Sequence, residues 1–124
     1  MKKFDLQERL IKFSIDLIKT LDKLPNYVIG KHLKGQLTRS GTSPTLNYAE
    51  ACDAESRKDF MHKIKIVLKE LRETLVELKM IDGLSFTFVD PKPLLKECDE
   101  LLSIFNRSYI TAKSNMEKER LKIK

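Results

Sequence analysis

Ser43, Asn47 and Glu50 are spaced by four residues and then three, which puts a hydroxyl, an amide and a carboxylate on one face of a helix. The amide both donates and accepts, whereas an ionised carboxylate only accepts. With the neighbouring Thr42 they form a polar cluster with two open readings. One is a network that fixes helix register where the face packs against other helices; the other is a polar pocket or docking surface for a partner. Covalent chemistry is poorly served. Ser43 or Cys52 would act as a nucleophile only beside a positioned base, and the two histidines, His32 and His62, stand at no spacing that ties either to one. Carboxylate-bridged di-iron bundles use paired Glu-x-x-His motifs; here Asp59-Phe-Met-His62 supplies that spacing once, with Asp. Cys52 and Cys98 have no nearby Cys or His at zinc spacing, and neither a Walker loop nor GxGxxG occurs. The expectation is a protein with no catalytic residues, no metal and no cofactor.

Charge offers a second kind of chemistry. The formal net charge is +6, with a pI near 9.3, which favours acidic partners such as nucleic acid. Between Lys23 and Ala49 the chain carries Lys23, Lys31, Lys34 and Arg39 and neither Asp nor Glu. Arg57, Lys58, Lys63 and Lys65 follow at the start of the next segment. If these cluster, they would contact phosphates through charge without reading bases. The candidate nucleic-acid-binding residues are therefore Lys31, Lys34, Arg39, Arg57, Lys58 and Lys63. A solvated face explains such a run equally well. No aromatic stacking platform stands out along the sequence, so base-specific reading is not expected.

These residues must be held by helices. Leu6, Leu10, Phe13, Leu17 and Leu21 recur at steps of three and four and predict a first helix over 5–22. Asp5 would cap it, with Glu8 completing a capping box. Ile11, Ile15 and Ile18 widen its apolar face beyond what one neighbour covers. Pro25 ends the segment. A second helix over 27–52 has Val28, Leu33 and Leu37 as its early apolar face, is weakened by Gly30 and Gly35, and should be kinked or divided at Pro44. Hydroxyls around Pro44 would accept amide hydrogens freed there. Ser56 is the expected N-cap of a third helix over 57–81, whose stripe is Phe60, Ile64, Val67, Leu71, Leu75, Leu78 and Ile81, broadened by Met61, Leu68, Val76 and Met80. Asp82-Gly83 should stop it.

Residues 84–90 form a connection, with an apolar side from Phe86, Phe88 and Val89 and room for a brief extended segment. Pro91 and Pro93 open a fourth helix running to about Lys118. Its seam of Leu95, Cys98, Leu102, Phe105, Tyr109, Ala112 and Met116 is coiled-coil-like, and the last residues are expected to fray.

Four amphipathic segments with short connections predict an all-α fold, an antiparallel up-down-up-down four-helix bundle with a kinked second helix. At 124 residues, 41% hydrophobic and 34% charged, residues 1–124 read as one domain. The N-terminus turns charged too soon for a signal peptide, and no run approaches the roughly 18 apolar residues of a membrane span. Two cysteines on apolar faces suit buried free thiols in a reducing compartment. A cytoplasmic protein without a membrane partner is expected.

Arg39-Ser-Gly-Thr-Ser-Pro-Thr-Leu-Asn-Tyr-Ala-Glu50, followed by Ser56-Arg-Lys-Asp-Phe60, resembles the signature of the small bacterial four-helix bundle proteins encoded by intervening sequences in large-subunit ribosomal RNA genes, often labelled S23 ribosomal protein. The matching positions are Arg39, Ser40, Thr42, Ser43, Asn47, Glu50, Ser56, Asp59 and Phe60. Pro44 directly follows Ser43, whereas many relatives place the proline one residue later, and the turn before Ser56 lacks a glycine common there. The resemblance implies a homopentamer. It also implies an architectural similarity to the accessory protein of diversity-generating retroelements, a basic pentamer that binds a reverse transcriptase and nucleic acid. It implies no catalytic residues. The expected function is a non-enzymatic homo-oligomer that binds RNA or DNA through phosphates; the alternative is an adaptor or assembly module whose partner is another protein.

Overall fold

A computed structural model describes residues 3–123, without the side chains of 3, 4 and 123. Four helices follow in order: α1 (Lys3–Leu21), α2 (Val28–Cys52), α3 (Arg57–Leu84) and α4 (Lys92–Ile123), with no strand among the described residues. Interhelical contacts fall between α1 and α2, α2 and α3, α3 and α4, and more sparsely α1 and α4. The backbones of diagonal pairs stay apart, as in a bundle, and meet only through side chains across the core, as Tyr48 of α2 does with Phe105 of α4. Residue numbers fall along each helix as they rise along the one before it. Ser14 meets Gly41 and Asp22 meets Lys34; Ser40 meets Thr74 and Glu50 meets Lys63; Leu71 meets Cys98 and Arg57 meets Glu119. Consecutive helices therefore run antiparallel.

The core is built as the apolar periodicities require. Leu6, Leu10, Phe13, Leu17 and Leu21 are buried along α1, Leu33 and Leu37 along α2, and Ile64, Val67, Leu68, Leu71, Leu78 and Ile81 along α3. On α4 the buried set is Leu94, Cys98, Leu101 and Phe105. The expected seam is fully buried only at Cys98 and Phe105; Leu95, Leu102, Tyr109 and Ala112 are half-buried and Met116 is exposed. Val28, Val76 and Met80 are likewise exposed rather than core. Cys98 is buried and Cys52 half-buried, and both are free thiols. The Cys98 thiol donates to the Leu71 carbonyl at 3.3 Å, and burial pushes its pKa up to about 12.

Several ends differ from the sequence expectation. Helix α1 begins before Asp5, so Asp5 is a first-turn acid rather than a cap. Ser56 does cap α3, its hydroxyl accepting from the Asp59 amide at 3.0 Å. Gly83 lies inside α3, which continues to Leu84. Ser85 takes the left-handed capping conformation instead (φ 53°), and its amide reaches the carbonyls of Ile81 and Asp82. Helix α4 continues to Ile123 rather than fraying near Lys118, with Glu119 tied to Arg57 on the first turn of α3 at 3.0 Å.

Helix α2 is not divided at Pro44. The hydroxyls nearby play both roles: Thr42 donates to the Thr38 carbonyl and Thr45 to the Leu10 carbonyl, whereas Ser43 accepts from the Asn47 side-chain amide and Ser40 from Thr74. Ser14 of α1 donates to the Gly41 carbonyl at 3.0 Å and lies 2.7 Å from Thr45 Oγ1, which reaches the Leu10 carbonyl at 3.1 Å. Gly41 permits this approach. A Cβ built on it would stand 1.9 Å from Leu17 Cδ2.

Candidate functional site

Ser43, Asn47 and Glu50 share a side of α2 but do not form one network. The Asn47 amide donates to the Ser43 carbonyl and reaches its hydroxyl, both at 3.0 Å. Glu50 pairs with Lys63 of α3 at 2.7 Å in an exposed position. Thr42 donates to the Thr38 carbonyl at 2.6 Å. These contacts are local to α2 or lie on its rim.

The buried polar seam between α2 and α3 is made by other residues. Ser40 and Thr74 are fully buried. Thr74 Oγ1 lies 3.0 Å from Ser40 Oγ and 2.8 Å from the Glu70 carbonyl. Arg39 spans two carboxylates of α3, with Nη1 3.1 Å from Glu70 and Nη2 3.0 Å from Glu73. Burial, and then the neighbouring Glu73, raises the pKa of Glu70. The Arg39 hydrogen bond lowers that of the more exposed Glu73. Glu77 is 7% exposed, and one of its carboxylate oxygens has no hydrogen-bond partner. Burial, then the charge of Glu73, raises its pKa. Glu70, Glu73 and Glu77 thus turn the acidic side of α3 toward α2.

What remains on the outer face of α3 is cationic. Lys58, Lys65, Arg72 and Lys79 follow one another at intervals of seven, with Lys69 and His62 between them, and all are exposed. Seven residues are close to two full turns, so they line one ridge of roughly 30 Å. No ion pair engages these five Lys and Arg side chains. Such a row presents permanent charge to solvent at low desolvation cost, the arrangement that suits a polyanion rather than a buried counter-ion.

The six candidate cations are distributed differently. Lys34 pairs with Asp22, Arg39 with Glu70 and Glu73, Arg57 with Glu119, and Lys63 with Glu50. Lys31 and Lys58 are exposed and unpaired, but they sit at opposite ends of the bundle, since α2 and α3 are antiparallel. The six do not form one patch. Lys69, Arg72 and Lys79 escaped sequence reasoning because only the basic cluster at the start of α3 was weighed. The recurrence of Lys/Arg every seven residues on an assigned helix is the signal that finds them.

Two concave regions flank these features. A groove of about 510 Å³ between α2 and α3 is lined by Leu33, Val76, Met80 and Glu77, with Lys69 and Arg72 on its ridge side. A larger one, about 1250 Å³, lies where Tyr48 and Cys52 of α2 meet Arg57, Phe60 and Arg107. Tyr48 is hydrogen-bonded to the Cys52 side chain, and burial raises its pKa. Among the described residues no three or more His, Cys, Asp or Glu side chains come together as metal ligands, and no helix is long and apolar enough to cross a membrane.

Neighbour-packed helices, a polar seam sealed by Arg39 and a cationic outer ridge define a small all-helical bundle protein. Residues 2–107 match the sequence model of the 23S rRNA-intervening sequence proteins, and the chain belongs to that family. It is similar to a crystal structure of a protein of unknown function from the S23 ribosomal protein family of Bacteroides thetaiotaomicron. That likeness has a TM-score of 0.75 at 26% identity and covers 88% of this chain and 98% of the other. No functionally curated protein matches.

Proposed function

We infer that this protein is a non-enzymatic, cytoplasmic, self-associating bundle that holds RNA or DNA by its phosphates along the outer face of α3. The observation that carries the reading is the ridge of Lys58, Lys65, Lys69, Arg72 and Lys79, all exposed and in no ion pair, with Lys69 near the Glu73 carboxylate. Cations already paired within the fold release little on meeting a phosphate, whereas each unpaired one displaces a counterion from the nucleic acid and steepens the salt dependence of binding.

Replacing Lys65 and Arg72 by glutamine should weaken binding of a 20-nucleotide strand roughly tenfold at about 50 mM KCl and lower the salt slope by about 1.4, alike for all sequences. Lys34→Gln, which removes a cation already paired with Asp22, should change little. Fluorescence anisotropy against salt concentration reads both quantities. Equal affinity of the double variant and wild type would overturn the role of the ridge.

Self-association is supported by a different surface. Ile11, Ile15 and Ile18 on α1 are 36%, 46% and 40% exposed, and Leu46 on the adjoining helix is 66% exposed. A run of large aliphatic groups left in water along one helix is what an interface between copies covers. The family resemblance implies five copies. Light scattering should report a mass about five times that of the chain, and a value near 14.4 kDa at micromolar concentration would remove assembly from the reading.

A further inference from the structure

We propose that the end of the bundle beyond Lys79 is a stacking platform for unpaired bases, formed by Tyr27, Phe86 and Phe88, so that the nucleic acid held along α3 is single-stranded where it passes this end. The proposal rests on the phosphate-binding reading of the ridge and adds the class of ligand.

Three observations meet here. The first is strain without packing. The Val89 amide closes a turn on the Phe86 carbonyl at 3.4 Å, and Phe88 occupies the third position of that turn with φ 68°. A type II turn demands positive φ there and takes glycine or asparagine. A bulky side chain in this region is an outlier, and holding it there costs on the order of 1–3 kcal/mol. Burial does not offset that cost, because Phe88 is 86% exposed. The turn presents a ring to solvent at a position that favours having none.

The second observation is the company this ring keeps. Tyr27, at the N-cap of α2, is 53% exposed. Its ring is tilted by 53° against Phe86, with centroids 6.3 Å apart. Phe86 is itself packed against the core, so it anchors the pair. The rings and Ile29 line a groove of about 590 Å³ whose wall also carries Lys23. The sequence separates Tyr27 from Phe86 by nearly half the chain, which is why no platform is visible along it.

The third is charge and continuity. Lys23 and Lys31 belong to the stretch from Lys23 to Ala49 that lacks Asp and Glu, and both are exposed without an ion pair. Helix α3 carries the ridge to Lys79 and ends at Leu84, immediately before the aromatic turn. A backbone lying along the ridge therefore arrives at the rings with cations beside them. Aromatic faces next to a cationic track are how proteins hold single strands, since every base offers a π-face and stacking tolerates any sequence.

The test compares a 20-nucleotide strand, the same strand with abasic sites throughout, and a duplex of equal length, each at 50 mM KCl, on wild type, Phe88→Gly and Phe88→Tyr. Glycine suits the turn, so Phe88→Gly should fold with unchanged or higher Tm. Wild type should prefer the base-bearing strand to the abasic one by about tenfold, a stacking contribution of ordinary size. Phe88→Gly should erase that preference while leaving abasic-strand and duplex affinity unchanged, and Phe88→Tyr should retain it. Equal binding of base-bearing and abasic strands by wild type, or a preference that survives Phe88→Gly, would overturn the platform and leave the ridge standing. No binding of any strand by wild type would overturn both. A Phe88-dependent affinity for phosphatidylglycerol vesicles without any base preference would also overturn the platform, by assigning this end to a lipid surface.

Discussion

Phe105→Ala is expected to lower the stability of the bundle by about 3–5 kcal/mol, the usual range for truncating a fully buried phenylalanine. Phe105 is completely buried and meets Tyr48 of α2 edge to face, with ring centroids 5.1 Å apart and planes at 75°. Truncation removes apolar burial, leaves a cavity, and ends a ring contact worth about 0.5–1.5 kcal/mol by itself. In a chain of this size that corresponds to a fall in Tm of roughly 10–20 °C. Urea unfolding should show a lower midpoint with an unchanged m-value. Phe105→Leu, which keeps most of the volume, should cost far less. A loss under about 1 kcal/mol for the alanine variant would mean that this part of the core is not packed as described.

Glu77→Gln should have the opposite sign at neutral pH, raising stability by on the order of 1 kcal/mol, because the amide removes the charge that burial disfavours while still leaving a polar atom at the site. Glu77 lies beneath the α2–α3 seam with one oxygen unpartnered. Burial and then Glu73 favour its protonated form, so its folded pKa is raised. A carboxyl whose folded pKa exceeds the unfolded value favours the fold fully below the unfolded pKa and loses that contribution as pH rises through the folded one. The advantage of Gln over Glu should therefore be full near pH 7, shrink as pH falls through the raised pKa, and vanish below about 4.3, the ordinary range for glutamate. Thermal melts of both proteins between pH 4 and 7.5 would display this convergence. A gap that stays constant with pH would show that shape rather than charge accounts for the difference. Glu73, lowered by Arg39, works in the other direction and loses its contribution as pH falls.

The helices were legible because their information is local. A stripe such as Leu6, Leu10, Phe13, Leu17 and Leu21 can be satisfied only by a helix with one buried side, and all five are buried. The Ser56 cap was equally readable, since its hydroxyl serves an amide three residues away. Helix ends determined by distant partners were not. Beyond Lys118, α4 carries Glu119 to Arg57, which lies on another helix, and no local rule connects them. The polar signature around Ser43 marked the family correctly but pointed to the wrong polar network. Asn47 and Ser43 bond to each other within α2, while the interhelical seam is shared by Arg39 and Ser40 with residues of α3 that look like ordinary helix surface in the sequence.

Charge divides in the same way. The amino-acid sequence by itself determined that this chain forms four amphipathic helices, that it is basic, and which family it belongs to, because periodicity, composition and motif are properties of residues close together in the chain. The tertiary structure alone decided which cations are spent. Lys34, Arg39, Arg57 and Lys63 meet carboxylates brought from other segments, and the α3 row forms no ion pair because Glu70 and Glu77 are buried and Glu73 is held by Arg39. It also set Tyr27 beside Phe86 and left Phe88 in solvent. Ion pairing and ring contact depend on distances across the bundle, and those distances exist only once the helices have packed.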